Sequence, residues 1–466
     1  MRITLLFPPE NFNYKLGIID VISDNWGKFP PLSLLYVASY LNANDHKCQI
    51  IDANANKLTI DEICKQIKEF ETDIIGCSVH CLSYSSQIPF YEIIAKKTKK
   101  DIFVGGIDIK HYAKEVMNYK FINYAIMGDA VDTLAFINAL ESNTNLDKIN
   151  GLVYRENNNL KINNYVRNDA NKLCFSKFID WSLIDLNNYY SMITTKKYAS
   201  IFTSFGCPFS CIFCSEGKSK VYNRPINEIM NELEQLENLG ANYVEILDST
   251  FTLNRKRAIK ICEEISKRNF RFKLGIETRV DKLDKEFIQW LKKANVERVN
   301  LGIETADKKI QRFIKKEIDL DKTKDMIKEL NRLKITTLGY FIFGHPLENK
   351  FTMQKTIKFA KETDLTFAFF SKIVPYEGTE LYEYYKNTYG DYWKEQFFIQ
   401  DKNELKFVKN RLNNHTIDKY INKAYREFYL RPKQILKIIL RANSPFNILK
   451  YAKVGLIFIF NILKKN

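Results

Sequence analysis

Residues 200–214 begin with Ser200-Ile-Phe-Thr-Ser-Phe205 and continue through Gly206 into Cys207-Pro-Phe-Ser-Cys211-Ile-Phe-Cys214. The apolar run predicts a buried strand that leads directly into a loop with three thiols. A four-iron cluster normally takes four thiolates, so three cysteines leave one iron open to another ligand. Structural zinc is the alternative, but the loop has no adjacent histidine and no second cysteine pair nearby. The pattern therefore predicts an iron–sulfur site suited to chemistry.

The residues from Ser200 onward alternate between strand and helix patterns. The predicted strands are Ser200–Phe205, Tyr243–Leu247, Phe272–Ile276, Arg298–Ile303, Leu338–Phe343 and Phe367–Ile373. The predicted helices between them are Pro225–Leu239, Arg255–Arg268, Lys285–Ala294, Asp319–Leu333 and Thr352–Thr363. Six such units predict a partial (β/α)6 barrel over residues 198–385, in which functional residues gather at the carboxyl ends of the strands. The cysteine loop would then lie at the mouth of the barrel.

A first alternation of strands and helices precedes the barrel. Its predicted strands are Arg2–Phe7, Lys47–Asp52, Asp73–Ser78, Asp101–Val104 and Asn123–Met127, and its predicted helices are Leu32–Leu41, Ile60–Phe70, Ile88–Lys97 and Asp132–Leu140. This order predicts an α/β domain of the Rossmann-like, flavodoxin-like type over residues 1–145, with a parallel sheet. The strand ends Val104-Gly105-Gly106 and Met127-Gly128-Asp129 suit the approach of a ligand to the backbone, with tight turns as the alternative.

Residues 146–197 are predicted to link the two domains. They begin with a hairpin from Gly151 to Asn163, whose turn is a run of asparagines. Residues 386–466 are predicted to form a helical, basic region that includes the helix Arg431–Leu440.

The basic region carries half of the net charge of +16, because residues 431–466 hold eight Lys or Arg and no Asp or Glu. Such a tail predicts an acidic partner, and anionic lipid is favoured over nucleic acid because no nucleic-acid-binding motif accompanies the charge. The apolar run Val454–Leu463 is too short to span a bilayer. The tail is therefore expected either to lie in a membrane interface or to pack on the barrel with a solvated basic face.

The composition supports a chain with more than one core. The 466 residues are 45% hydrophobic and 14% aromatic, which is ample for two or three globular units. Nine cysteines and the lack of a charged-then-apolar leader argue against a secreted disulfide framework. We therefore expect a cytoplasmic protein with reduced thiols or metal-bound cysteines.

Residues 200 to about 385 resemble a radical SAM domain. The hallmark of that family is this Cys-x3-Cys-x2-Cys loop with an aromatic residue before the last cysteine, here Phe213. The resemblance implies that Cys207, Cys211 and Cys214 hold a [4Fe-4S] cluster and that S-adenosyl-L-methionine (SAM) chelates the open iron. It also implies that Phe213 lies near the adenine of SAM.

Other strand ends carry polar groups that the same resemblance would assign to SAM. These are Glu245, Asp248 and Ser249 after the second strand, Glu277 and Arg279 after the third, and Glu304 after the fourth. The resemblance implies that the second-strand segment receives the methionine ammonium, that Arg279 pairs with the carboxylate and that Glu304 takes the ribose hydroxyls. Salt bridges that only hold the barrel together are the alternative for these charged groups.

The segment Tyr340-Phe-Ile342-Phe-Gly344-His345-Pro346 resembles the adenine-contacting fifth strand of the family. It departs from the family pattern because Tyr340 replaces an expected glycine. Tyr340 and His345 are predicted to be catalytic, as groups that handle protons near the site.

The first domain, placed ahead of such a barrel, is similar to that of the cobalamin-binding radical SAM proteins. The resemblance rests on the stretch from Phe29 to Leu41 and on the two glycine-containing strand ends, and it covers roughly residues 1–385. It implies a cobalamin that lies on the carboxyl ends of the sheet and faces the cluster. The loop from Pro8 to Gly17 lacks the histidine with which domains of the methionine-synthase kind bind cobalt, so ligation through that motif is not expected.

Two further residues near the end of the third strand have open interpretations. His80 either approaches the corrin or makes a local hydrogen bond, while Cys77 points into the core. Cys77 and Cys81 are also similar to part of a second cluster in methylthiotransferases, but no third cysteine of such a set is evident.

The resemblance implies a radical SAM enzyme that transfers a methyl group to an unactivated carbon of a lipid or secondary metabolite. An external one-electron reductant such as flavodoxin or ferredoxin would supply electrons to the cluster. A cyclase that forms rings or carbon–carbon bonds without methyl transfer is the alternative within the family. A corrinoid- or lipid-binding sensor without catalysis is the alternative from another class, and the intact cysteine set argues against it.

Overall fold

The computed structural model describes residues 1–9, 27–80, 84–168, 179–191, 194, 196–389, 412 and 414–441. These residues divide into two compact units, one formed by residues 1–9 and 28–189 and the other mainly by residues 190–389 and 414–441. The loop after the first strand and the apolar run Val454–Leu463 lie outside the described residues. None of the described helices is long and apolar enough to cross a membrane.

A seven-stranded sheet forms the centre of the first unit. Its strands are β1 (Arg2–Phe7), β2 (Lys47–Asp52), β3 (Ile74–Ser78), β4 (Asp101–Gly105), β5 (Tyr124–Ile126), β6 (Leu152–Glu156) and β7 (Asn159–Ile162), in the spatial order β2-β1-β3-β4-β5-β6-β7. The first five strands are parallel, which confirms the predicted flavodoxin-like sheet. The strand order reverses between β1 and β3, and ligands of such sheets bind in the crevice at that reversal.

Helices cover this sheet. They are α1 (Leu32–Asn42), α2 (Ile60–Glu69), α3 (Tyr84–Thr98), α4 (Ile109–Val116) and α5 (Ala130–Glu141). Four were predicted, and α4 was missed because it has only eight residues. Ile3, Leu5, Phe103 and Phe136 belong to the core on one face of the sheet, where each is at most 5% exposed.

The predicted hairpin forms, but it is not part of a linker. Strand β6 pairs antiparallel with β5, and β7 pairs with β6, so the hairpin extends the sheet. Asn157 and Asn158 form its turn with φ values of 48° and 64°. Asparagine tolerates this left-handed region better than most residues, which explains the choice of residue in a two-residue hairpin turn.

Six parallel strands form the centre of the second unit. They are β8 (Tyr198–Ile201), β9 (Tyr243–Ile246), β10 (Lys273–Thr278), β11 (Val296–Glu304), β12 (Thr336–Phe343) and β13 (Phe367–Lys372), and they pair in chain order. This confirms the partial barrel. The first strand ends earlier than predicted, because Ser204–Phe205 leaves the barrel sheet to pair antiparallel with Tyr222–Asn223.

Helices surround the barrel strands. They are α6 (Ile226–Asn238), α7 (Arg255–Arg268), α8 (Lys285–Lys293), α9 (Lys308–Phe313), α10 (Leu320–Arg332), α11 (Lys350–Glu362), α12 (Glu380–Tyr389), α13 (Asn414–Tyr429) and α14 (Pro432–Arg441). The short helix α9 was not predicted. Single-turn 3₁₀ helices occur at Leu146–Lys148, Trp181–Leu183, Leu186–Asn188 and Val280–Lys282, and two-residue strands occur at Gly27–Lys28 and at Tyr190–Ser191.

Helix α13 protects the edge strand β13. The Tyr425 hydroxyl accepts a hydrogen bond from the Phe370 backbone N–H at 3.1 Å. The Tyr429 hydroxyl accepts one from the Ala368 N–H at 3.0 Å and donates one to the Ala368 carbonyl at 2.8 Å. These side chains satisfy backbone groups that an open edge would otherwise leave unpaired.

Candidate active site

The cysteine loop is fixed at its start by a tight backbone turn. The N–H of Cys207 donates to the Ser219 hydroxyl at 2.8 Å, and the N–H of Ser219 donates back to the Cys207 carbonyl at 2.9 Å. Gly206 has a φ of 85°, and a Cβ there would lie 2.2 Å from the Lys220 carbonyl oxygen. Only glycine fits this position without strain.

The far side of the loop is tied to two helices. The N–H of Ile212 donates to the Ile314 carbonyl at 3.1 Å, just after α9, and the N–H of Leu381 in α12 donates to the Ile212 carbonyl at 2.8 Å. Cys207 is buried, and Cys211, Phe213 and Cys214 are partly exposed. Backbone contacts with distant elements therefore set the place of all three cysteines.

Asp248 holds the chain between the first barrel strand and the cysteine loop. One carboxylate oxygen accepts the N–H groups of Thr203 at 2.6 Å and Ser204 at 3.0 Å, and the other accepts both hydroxyls, at 2.5 and 2.6 Å. The side chain is fully buried, and burial raises its pKa above the ordinary value. Arg257 donates to the Thr203 carbonyl at 2.8 Å.

The bonds to Asp248 explain why the first strand ends early. A carboxylate that takes the N–H groups of residues 203 and 204 removes those donors from a strand ladder. Asp248 was predicted to contact SAM, whereas its described partners are protein groups. Its role as a SAM ligand stays a prediction, and Ser249, which is exposed beside it, is untested in the same way.

Two cations lie close to the cysteines. The Arg279 guanidinium stacks 4.1 Å from the centre of the Phe209 ring, with one nitrogen 3.9 Å from the Cys211 sulfur. Burial raises the pKa of the Cys207 and Cys211 thiols, and the charges of Arg279 and Lys316 act in the opposite direction. Positive charge at this position favours the thiolate form that a metal site requires.

Glu304 and Lys316 form a buried ion pair beside the loop. The Lys316 ammonium lies 2.5 Å from the Glu304 carboxylate, and both side chains are about nine-tenths buried. A Cβ at Gly302 would lie 2.4 Å from the ammonium, so the glycine leaves room for it. Glu304 has a φ of 65°, a strained value for this residue type that is often associated with functional sites.

Sequence reasoning missed Lys316. It follows the short helix α9, which has no strong periodic signal, and it lies within a run of lysines that reads as surface. The contact with Glu304 was visible only once the fold brought the end of α9 back to the end of β11.

The interior of the barrel holds a second ion pair. Arg298 lies 2.6 Å from one Glu245 oxygen, and the Asn300 amide donates to the other at 3.0 Å. A Cβ at Gly275 would lie 2.2 Å from the Glu245 carboxylate, so this glycine is also required by the pair. The predicted contact of Glu245 with the methionine ammonium is untested, and Arg298 and Asn300 were not predicted.

Glu277 lies next to this pair on β10. Burial raises its pKa to about 7, the nearby Glu245 carboxylate adds to the rise, and Arg298, Asn300 and Tyr340 oppose it. Tyr340 is partly exposed and makes an edge-on contact with Phe369, with ring centres 6.0 Å apart. A carboxyl with a pKa near neutrality is suited to holding or releasing a proton.

His345 is placed differently from Tyr340. It is fully buried, and burial lowers its pKa to about 4, so its imidazole is neutral at pH 7. Its backbone N–H donates to Glu348 at 3.3 Å, and Gly344 donates to the same oxygen. Burial raises the Glu348 pKa to about 8. A catalytic role for His345 stays a prediction.

The carboxyl edge of the first sheet offers an open backbone surface at Gly105. Among the described residues, a Cβ at Gly105 would meet no atom within 4 Å, whereas one at Gly106 would lie 2.5 Å from the Val79 carbonyl oxygen at a φ of 134°. Gly128 is explained locally, because a Cβ there would collide with Asp132. Asp129 caps helix α5 by accepting a hydrogen bond from the Val131 N–H at 2.9 Å.

His80 lies at the same edge, at the end of β3. Its side chain is 46% exposed, with Nε2 3.7 Å from the Asp108 carboxylate. The backbone N–H of His80 donates to the Gln87 side chain at 3.0 Å. Cys77 is 2% exposed and belongs to the core, as expected. Cys81 lies outside the described residues.

The residues present fit the groups that the sequence implied. Three cysteines on a backbone-fixed loop beside two cations are a donor set for an iron–sulfur cluster. No three His, Cys, Asp or Glu side chains of the described residues converge on a single metal ion. A four-iron cluster is larger than one ion and holds its thiolates further apart. The described residues around Gly105 leave space for a flat ligand at the carboxyl edge of the first sheet.

Two family models match the chain, one in each unit. Residues 201–360 match the radical SAM superfamily, and residues 21–137 match the B12 binding domain. A methyltransferase of Pyrococcus horikoshii, itself uncharacterized, is 31% identical over 481 residues, which cover 99% of both chains. The anaerobic magnesium-protoporphyrin IX monomethyl ester cyclase of Rubrivivax gelatinosus is 26% identical and covers 82% of this chain and 70% of its own.

A solved structure has the same fold. The radical SAM methyltransferase TsrM of Kitasatospora setae, with cobalamin and a [4Fe-4S] cluster bound, superposes with a TM-score of 0.65 at 16% identity over 83% of this chain and 75% of its own. Fold and site thus define a radical SAM enzyme with a corrinoid domain. The chain belongs to the cobalamin-binding radical SAM family, whose cofactors are a [4Fe-4S] cluster, SAM and cobalamin.

The contacts of Asp248 predict a specific loss in Asp248→Asn. An amide presents one acceptor and a donor where four donors now converge, so at least one buried N–H or hydroxyl loses its partner. We expect the free energy of unfolding to fall by about 2 kcal/mol and the iron content of anaerobically reconstituted protein to fall at least twofold. Chemical denaturation and iron analysis measure the two effects.

Asp325→Asn is the matched control for this substitution, because the Asp325 side chain is 66% exposed on α10. The control should leave both quantities unchanged. Equal iron content and stability in the Asp248 and Asp325 variants would contradict the assigned function of Asp248.

The raised pKa of Glu277 predicts a pH effect on stability. The folded protein binds a proton at Glu277 up to a pH of about 7, whereas an unfolded glutamate releases it near pH 4.3, so this group makes unfolding easier as the pH rises between those values. In the wild type, this group lowers the free energy of unfolding between pH 5 and pH 8. Glu277→Gln should reduce that decrease by about 2 kcal/mol. Urea unfolding of both proteins across this range measures the difference. Glu286→Gln, at an exposed carboxylate, should leave the slope unchanged, and parallel curves for wild type and Glu277→Gln would refute the prediction.

Proposed function

We propose that the chain is a cobalamin-dependent radical SAM methyltransferase that acts on an unactivated carbon of a lipid or secondary metabolite. The observation that carries the proposal is the match to a methyltransferase over 99% of both chains, together with a cysteine loop held at the carboxyl end of the first barrel strand. When bound, the cluster with SAM supplies a carbon-centred radical, and the corrinoid supplies a methyl group.

The chain's own residues are proposed to hold and orient these groups. Cys207, Cys211 and Cys214 would bind three irons of the cluster. Arg279 and Lys316 provide two buried positive charges next to the cysteines, where a SAM carboxylate chelating the fourth iron would also lie. Both cations would therefore stabilise the bound cluster and orient SAM.

The remaining proposed SAM contacts belong to the strand ends around the same mouth. Phe213 is partly exposed in the cysteine loop and would contact the adenine. Glu304 would reach the ribose hydroxyls with the carboxylate oxygen that does not bind Lys316. Glu245, Asp248 and Ser249 would lie near the methionine ammonium, and Glu277 would hold a proton in the barrel interior with Tyr340 and His345 as further proton-handling groups.

Cobalamin is proposed to lie at the carboxyl edge of the first sheet. Gly105 and Gly106 would allow the corrinoid to approach the backbone, since no described residue fills the space beyond Gly105. Gly128 and Asp129 are proposed as corrinoid contacts only from their position at this edge. The cap of α5 already explains the contacts that the two residues make. An external one-electron reductant, such as flavodoxin or ferredoxin, is proposed as the partner that reduces the cluster.

A cyclase is the second candidate. A relative 26% identical over 400 residues carries that activity in its name, and the same radical chemistry serves both reactions. The two differ in whether the methyl carbon of SAM enters the product, so labelled SAM separates them.

The labelling experiment uses anaerobic holoprotein, a chemical reductant, SAM labelled with ¹³C in the methyl group, and lipid and aqueous extracts as substrate pools. We expect 5′-deoxyadenosine together with a labelled product found by mass spectrometry. 5′-Deoxyadenosine with an altered but unlabelled product would favour the cyclase, and neither product would contradict the enzymatic proposal.

Cys211→Ala should abolish formation of 5′-deoxyadenosine in this assay. Cys64→Ala is the matched control, since Cys64 is a partly buried free cysteine in the other unit, and it should retain the activity.

The two cations that follow α9 give a paired test of SAM binding. Lys316→Met removes the buried charge, and we expect it to weaken SAM binding at least tenfold, since a charged hydrogen bond to a carboxylate contributes about 1.5–3 kcal/mol. Lys315→Met removes a neighbouring exposed lysine that pairs with Glu380 at 2.5 Å and should change binding less than twofold. Equilibrium dialysis of SAM with the reconstituted proteins measures both.

The double variant Lys316→Met/Glu304→Gln guards against a folding defect, because it leaves no buried carboxylate unpaired. It should unfold at the same denaturant concentration as the wild type while still binding SAM weakly per bound cluster. Wild-type SAM affinity in the double variant would remove Lys316 from the proposed site.

A further inference from the structure

Helix α14 is turned with its polar face toward the barrel. The Gln434 amide is 4% exposed and donates to the carbonyls of Leu365 at 3.1 Å and Thr366 at 2.7 Å. One turn later Lys437 donates to the Asp364 carbonyl, and its ammonium lies 3.2 Å from the Asp364 carboxylate. The residues 434 and 437, with 441 a further turn on, follow helical spacing, so one face of α14 is held by hydrogen bonds to the barrel.

The opposite face of α14 is apolar and exposed. Ile435, Leu436, Ile439 and Leu440 have exposures of 44%, 57%, 42% and 75%, and their spacing places them in one stripe along two turns. We call these four residues the outer stripe. A surface helix normally buries its apolar stripe and exposes its polar face. The reversed orientation leaves a contiguous apolar surface of the kind that marks an interaction site.

The charge around the outer stripe favours one kind of occupant. Helix α14 carries Lys433, Lys437 and Arg441 and no acidic residue, and the Lys433 side chain is 88% exposed. Residues 431–466 add up to eight basic side chains with no acidic one. Asp364 is the acidic side chain that pairs with α14 among the described residues. An apolar stripe flanked by cations complements an interface of acyl chains and anionic headgroups.

A second copy of this chain is a poorer match for the same surface. It would bring the same basic helix against α14 and would itself carry a net charge of +16. Like charges placed together across an interface disfavour association.

We propose that the outer stripe is a membrane-docking surface, on which α14 lies in the interface of an anionic bilayer without crossing it. Ile435, Leu436, Ile439 and Leu440 enter the boundary between headgroups and acyl chains, while Lys433 contacts lipid phosphates. Ten residues of helix are about 15 Å long, which suits binding along the surface. The proposal does not depend on the catalytic reaction, so it is tested by binding alone.

The test is flotation of anaerobic full-length holoprotein with vesicles of phosphatidylcholine alone or with 30 mol% phosphatidylglycerol. We expect the wild type to float with the anionic vesicles and to be released by high salt. Leu436→Ser/Leu440→Ser should lower the bound-to-free ratio at least tenfold, because the apolar contribution to interfacial binding is removed. Lys433→Glu should lower binding to anionic vesicles only.

The matched control is Leu239→Ser/Phe351→Ser, which removes two exposed apolar side chains elsewhere on the barrel unit and should leave flotation unchanged. Iron content and thermal unfolding of each variant confirm that the holoprotein remains folded. Equal flotation of the wild type and the outer-stripe variant would overturn the proposal, as would equal binding to neutral and anionic vesicles.

Two further outcomes would assign the outer stripe to another occupant and overturn the proposal. If the wild type sediments as a dimer that the outer-stripe variant dissociates, and it does not float, the occupant is a second copy. If the full-length protein does not float but a chain ending at residue 441 does, residues 442–466 cover the stripe.

Discussion

A single buried carboxylate, Asp248, sets the position on which the rest of the site depends. It gathers two backbone N–H groups and two hydroxyls from residues 203 and 204, and this removes them from the barrel ladder just before the cysteine loop begins. The chain then turns at Gly206, where a side chain would collide with the Lys220 carbonyl. Because a cluster tolerates little error in the positions of its ligands, a rigid departure from the first strand is the condition for a working metal loop.

A second constraint is the space that buried ion pairs require inside the barrel. Glu245 with Arg298 and Glu304 with Lys316 are buried ion pairs, and Gly275 and Gly302 leave the space that each pair needs. Burying an ion pair costs desolvation, so these pairs are weak evidence for a gain in stability. Glu277 is left with a pKa of about 7 beside the first pair. The polar interior is thus organised to place charge close to the mouth of the barrel.

The fold was predictable to a large extent because strand–helix alternation and the cysteine spacing are local signals. The misplaced end of the first strand shows where local signals fail, since Ser200–Phe205 was predicted as one strand and the contact with Asp248 divides it. The same reason explains the missed Lys316, whose partner lies twelve residues earlier on another element. Helix α14 has a clear amphipathic pattern, but a pattern does not tell which face meets the barrel. The end of the first strand, the Lys316 contact and the orientation of α14 all depend on contacts between residues that are far apart in the sequence.

Cys207, Cys211 and Cys214 are proposed to hold a four-iron cluster whose open iron binds SAM. The most direct measurement is electron paramagnetic resonance of anaerobically reconstituted, reduced protein, recorded with and without SAM and supported by iron, sulfide and zinc analysis. We expect about four irons per chain and a spectrum that changes when SAM is added. Bound zinc in place of iron, or a cluster spectrum that SAM leaves unchanged, would contradict it.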